Sequence, residues 1–207
     1  MPSARHLVVV AGAEPAATDA LASALRDDGT VRTAYSADAL RESLDAEVDV
    51  VLVDVELVDG PIDPLLADVR TREVDCQIGV STPEPDLTTA ETDAAVDAVV
   101  RRDPVAVRET VQWLAARARY RARLEEFYDL AERRATLADE GDGGTALDRL
   151  DRQLDRLRAD LAEMFDGLDD ASAFDAALSP AERGLNSGED AADPTDRPSD
   201  RSESDGP

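Results

Sequence analysis

Short apolar runs separated by polar, helix-patterned stretches constrain the first hundred residues most. His6 to Ala11 (HLVVVA) and Val48 to Val53 (VDVVLV) are rich in β-branched residues, too short for core helices and almost unbroken, as strands buried on both faces are. Val31 to Tyr35, Gln77 to Ser81 and Ala98 to Val100 are weaker runs of the same kind. Between them lie helix signals: Glu14-Pro15 ahead of Leu21 and Leu25, Ser36 as a cap ahead of Leu40 and Leu44, a stretch from Pro64 to Thr71, and a weak helix around Leu87 to Ala94. Alternation of this kind predicts five βα units, an α/β fold built on a five-stranded parallel sheet.

From Val105 the pattern changes. Helical periodicity runs unbroken to about Ala138 and stops at GDGG, Gly141 to Gly144. Leu147, Leu150, Leu154, Leu157, Leu161, Met164 and Leu168 then recur at alternating spacings of three and four, a coiled-coil seam. The two stretches are expected to fold back as an antiparallel α-helical hairpin. Beyond about Asp170 periodicity is lost, and NSGEDAADPTDRPSDRSESDGP reads as a disordered acidic tail. The expected domains are 1–110, 111–170 and 171–207.

Charge narrows the function. The chain carries 47 acidic against 22 basic residues, a net charge of −25, and every basic residue is Arg. A basic nucleic-acid-binding face over the whole protein is excluded, and nucleic acid as a partner is unsupported by charge. With 43% hydrophobic residues the chain still has material for a core, so the acidity reads as adaptation to concentrated salt, where the Debye length shrinks to about 3 Å. One cysteine, Cys76, excludes an internal disulfide. One histidine, His6, excludes a His/Cys zinc cluster and a distant Ser/His triad, and no enzyme is expected. No apolar run approaches the ~18 residues of a membrane span, and a signal-peptide core is lacking, so the expected place is the cytoplasm.

The basic exception is the long helix, where residues 101–134 hold nine Arg against six acids. Arg117, Arg119, Arg121 and Arg123 are either paired with neighbouring acids or form a docking patch, together with Tyr120, Leu124, Phe127 and Tyr128.

In a parallel α/β sheet, chemistry gathers at the carboxyl ends of the strands. There the sequence places Gly12, Ala13 and Glu14 after the first strand, Asp54 and Glu56 after the third, Ser81-Thr82 after the fourth and Arg101-Arg102 after the fifth. VDVVLVDVELVDG resembles the phosphoacceptor segment of a response-regulator receiver domain, and LVVVAGAEP aligns with the segment that carries that domain's acidic pair. The resemblance covers residues 6 to about 110 and implies a flavodoxin-like sheet of receiver type. It implies Asp54 as phosphoacceptor for a histidine kinase, Thr82 and Arg101 as phosphoryl contacts, and Asp54, Glu14 and Glu56 as what is left to hold Mg²⁺. Gly12 and Ala13 stand where the acidic pair belongs, and the Lys-Pro dipeptide after the fifth strand is replaced, so phosphotransfer is expected to be degenerate.

Residues 117–140, RARYRARLEEFYDLAERRATLADE, followed by the leucine heptad, resemble the HalX domain, a helical module found after receivers in haloarchaeal regulators. Tyr120, Leu124, Phe127, Tyr128, Arg134, Ala135 and Leu137 carry that match. Together the resemblances imply a two-component-type signalling regulator of transcription. The alternative is a phosphorylation-independent interaction scaffold whose heptad joins a second copy or a partner helix.

Overall fold

The computed structural model describes residues 6–72, 74–83, 96–139 and 144–165. The short helix expected at Leu87 to Ala94, most of the glycine break, Leu168 and the 171–207 tail lie outside these residues.

β1 (His6–Ala11), β2 (Gly29–Ala34), β3 (Val50–Asp54), β4 (Gln77–Thr82) and β5 (Ala98–Arg101) form one parallel sheet in the order β2-β1-β3-β4-β5. Successive residues of β1 point to opposite faces. Val8 and Val10 join Val50, Leu52 and Leu25 on one side, while Leu7, Val9 and Ala11 join Val51, Val53, Leu40 and Leu66 on the other. Both faces are covered, hence the near-continuous apolar runs. α1 (Pro15–Leu25) and α4 (Pro104–Asp139) cover the first face, and α2 (Ala37–Ser43) and α3 (Asp63–Thr71) the second.

Local chemistry sets several boundaries. The Ser36 hydroxyl accepts the Ala39 amide and caps α2, and Pro15 starts α1 at the position where its missing N–H costs nothing. β2 starts earlier than its apolar run, at Gly29, because the ladder pairs Gly29 with His6. β3 starts later, at Val50, since a turn in which the Val48 amide donates to Asp45 holds Val48 outside the ladder. Burial pushes the Cys76 thiol up to about 11, which makes it an inert core residue.

His6 sits buried at the base of β1. A Cβ on Gly29 would lie 2.5 Å from the His6 carbonyl oxygen, so only glycine fits beside it. Burial, and then the Arg119 charge, lower the imidazole pKa from 6.5, against the opposing pull of Asp49 and Asp28. A histidine with a lowered native pKa binds its proton more readily when unfolded, so the stability it confers is full above about pH 6.5 and is lost as pH falls below it. Between pH 7.5 and 5.5 the melting temperature should therefore fall further for the native chain than for His6→Gln. Equal slopes would remove His6 as the cause.

α4 is one unbroken helix of 36 residues, so residue 110 falls within it rather than at a break. Val107, Val111, Leu114, Ala115 and Ala118 seat its first half on the sheet. Beyond Arg121 it runs on to meet α5 (Gly144–Phe165), on which Leu150, Leu154 and Leu157 are buried. Tyr120 meets Phe165, Phe127 meets Arg158, and Arg134 pairs with Asp151, so the two helices run antiparallel. Leu150, Leu154 and Leu157 of the leucine seam are thus buried within the chain, while Leu147, Leu161 and Met164 are half-buried. None of the described helices is long and apolar enough to cross a membrane.

Candidate functional site

The strand order reverses at β1, whose neighbours are β2 and β3, and the crevice beyond the carboxyl ends of β1 and β3 is where such sheets hold ligands. The residues after β1 and the last residue of β3 meet there. Gly12, Ala13, Glu14, Ala17, Thr18, Asp54, Glu56 and Arg102 line a cavity of about 70 Å³. Pockets for small metabolites measure roughly 300–1,000 Å³, so this one admits water and little else.

Asp54 ends β3 and is only 8% exposed. Its Oδ1 accepts the Glu56 amide at 2.9 Å and a hydrogen bond from the Arg102 guanidinium, while Oδ2 accepts the Ser81 hydroxyl at 3.1 Å. The same Arg102 nitrogen donates to Glu56 Oε2 at 2.8 Å. Burial works against the charge on Arg102, but its bonds to Glu56 and Asp54 and their attraction outweigh this and raise its pKa above the ordinary guanidinium value.

Two expected contacts are corrected by one residue each. The hydroxyl on Asp54 belongs to Ser81, its partner in the β3–β4 register; Thr82 is buried one position further on, and its carbonyl accepts the Arg102 amide at 2.7 Å. The cation on Asp54 is Arg102, whereas Arg101 closes β5 and is exposed. Sequence reasoning missed Ser81 and Arg102 because a strand's facing flips with each residue, so a one-residue error in where it ends exchanges neighbours. The available signal was the dipeptides themselves, Ser81-Thr82 and Arg101-Arg102, each offering two choices.

The expected metal ligands are also corrected. Glu14 stands exposed ahead of α1, and no group of three His, Cys, Asp or Glu side chains able to hold a metal ion occurs among the described residues. The place of one of the two missing acids is filled: a Cβ on Gly12 would lie 2.6 Å from the Thr18 hydroxyl, itself bonded to the carbonyls of Gly12 and Glu14 at 3.1 and 2.8 Å. Asp54, Glu14 and Glu56 in this arrangement do not fit Mg²⁺, which demands near-octahedral oxygen ligation.

The arginines of α4 do not make an exposed patch. Arg117 is 3% exposed, lies 4.8 Å over the Trp113 ring and reaches within 4.0 Å of Asp97. Arg121 is 8% exposed and pairs with Asp75 at 2.6 Å and Glu125 at 3.5 Å. Arg119, half-buried, donates to the Ala115 carbonyl; Arg123 is exposed and paired with Glu126. Of the apolar candidates, Tyr120, Leu124 and Phe127 are half-buried and Tyr128 is exposed, with Phe127 packed edge-on against it.

No family model matches the chain. Over 110 residues it is 31% identical to a Haloferax volcanii protein named "Putative transcriptional regulator", and the match takes in 52% of this chain and 19% of that protein. It is similar in structure to a CheY-like receiver domain from Methanospirillum hungatei (TM-score 0.49, 16% identity, 56% of this chain and 98% of that one). It is likewise similar to the Thermotoga maritima response regulator TrrA in complex with Mg²⁺-BeF (TM-score 0.46, 20% identity, 53% and 98%). Five parallel strands in the order β2-β1-β3-β4-β5, with helices on both faces, are a flavodoxin-like sheet.

Proposed function

We propose that the chain is a response-regulator-type signalling protein that acts on transcription, with a receiver over residues 1–110, a HalX-like helical output module over 111–170 and an acidic tail over 171–207. One observation carries the reading: Asp54 stands at the carboxyl end of β3 in contact with β4 and with the residue that follows β5, and β5 leads within three residues into the α4 helix that becomes the hairpin. A helix seated on the sheet at one end and paired with α5 at the other carries a shift at the site to the hairpin without any further joint. The relative from Haloferax supports a role in transcription by its name. Asp54 is the phosphoacceptor position, and a histidine kinase is the partner it would imply. With three donors already on its two oxygens, phosphorylation-independent control is the better-supported reading, and a protein partner acting on the receiver or on the face around Tyr128 supplies the signal.

Transcript profiling in cells lacking the protein tests this. The expected result is a limited set of altered transcripts, restored by the full chain and by Asp54→Asn but not by residues 1–110 alone. An unaltered profile would sink the regulator reading, and failure of Asp54→Asn to restore it would return control to phosphorylation.

A further inference from the structure

The Asp54 site sits beside the start of α4. Arg102 is the first residue after β5, the Asp103 carboxylate that follows accepts the amides of Val105 and Ala106 at 3.1 and 3.0 Å, and Pro104 opens the helix. Whatever holds Arg102 therefore holds the first turn of α4. Arg102 is held from two sides, by Asp54 at the end of β3 and by Glu56 in the turn after it, and its side chain is 18% exposed. Its amide is bonded as well, to the Thr82 carbonyl of β4.

This arrangement also sets what the cavity can take. Asp54 Oδ1 is already shared between a backbone amide and a guanidinium, and Gly12 leaves no second acid because Thr18 occupies the space. A Mg²⁺ ion bound through one or two carboxylates keeps several waters. Arg102 itself lines the cavity over Asp54, beside Glu56 and Gly12, so its guanidinium stands where such an ion and its waters would have to enter.

We propose that Arg102 is the resident cation of this site: its guanidinium occupies the position a divalent metal would need, and it clamps the β5–α4 junction onto β3 with no ligand, metal or phosphoryl group required. Arg102 is thus a positioning residue for the output helix. The inference rests on the regulator reading only for what α4 is used for; the clamp itself stands on the geometry.

The full chain, ¹⁵N-labelled and held in molar KCl, gives the test. On titration with Mg²⁺, the amides of Gly12, Asp54 and Glu56 should keep their positions. In Arg102→Gln, hydrogen exchange at the amides of Val105, Ala106 and Val107 should rise about tenfold while Val8, Val10 and Leu52 keep their protection. Saturable Mg²⁺ shifts in the native chain, or an unchanged junction in Arg102→Gln, would overturn the clamp. Should Arg102→Gln lose protection throughout the sheet, Glu56→Gln decides, because it removes only the exposed half of the clamp. Faster exchange confined to the junction then supports the proposal, and no change refutes it. None of these readings depends on transcript changes, so the clamp and the regulator role can fail separately.

Discussion

Replacing Asp97 with alanine should lower the melting temperature by about 6–12 °C, the largest effect expected of a polar substitution among the described residues. Asp97 lies just ahead of β5 with its side chain 3% exposed. One oxygen accepts the Ile78 amide at 2.7 Å and a bond from Arg70 of α3, and Arg117 of α4 lies 4.0 Å from the other. One carboxylate thus joins the helices on opposite faces of the sheet. Its removal takes a buried counter-charge away from Arg117 and Arg70, a loss of ~3 kcal/mol, and each kcal/mol is worth about 2–4 °C in a chain of this size. A buried network is little screened, so the drop should persist from 1 to 4 M KCl. Thermal melts at both salt concentrations test this, and a melting temperature within about 2 °C of the native value would show that apolar packing alone seats α4.

Leu154→Asp should abolish the hairpin and leave the sheet intact. Leu154 is 3% exposed in the middle of the buried row from Leu150 to Leu157, and α5 has one apolar face and one helix to bury it against. Truncating a buried leucine costs about 2–5 kcal/mol before the added charge is counted, and most of a helix's stability in a protein comes from packing its amphipathic face. The far-UV helical signal of the 22-residue α5 should disappear, protease should cut α4 beyond Arg121, and the sheet should melt as before. Light scattering should report an unchanged molecular mass, because the seam faces α4. A fall in mass would show that this seam joins two copies.

Much of the fold was legible in order along the chain. A β-branched run of five or six residues can be little other than a strand, Ser36 ahead of Leu40 caps a helix by its own hydroxyl, and Asp54 follows the strongest run at its carboxyl end. These are local facts, settled by side-chain shape and by bonds spanning three or four residues. The heptad of leucines was equally plain, and the glycine break ahead of it pointed to the antiparallel hairpin with the preceding helix.

The partners of the charges were a different matter. Arg117 and Arg121 lie one turn apart on α4 and read in sequence as half of a solvated basic patch; the fold turns that face toward Asp97 and Asp75, residues far back along the chain, and buries both. Ser81 rather than Thr82, and Arg102 rather than Arg101, reach Asp54 because the register pairs Asp54 with Ser81 and Thr82 with Arg101. Periodicity alone thus determined the strands, the helices and the end of the sheet at which a site would lie. Only the tertiary structure decided which cation sits on Asp54, because side-chain facing reverses at every residue of a strand and the contact joins positions 48 apart.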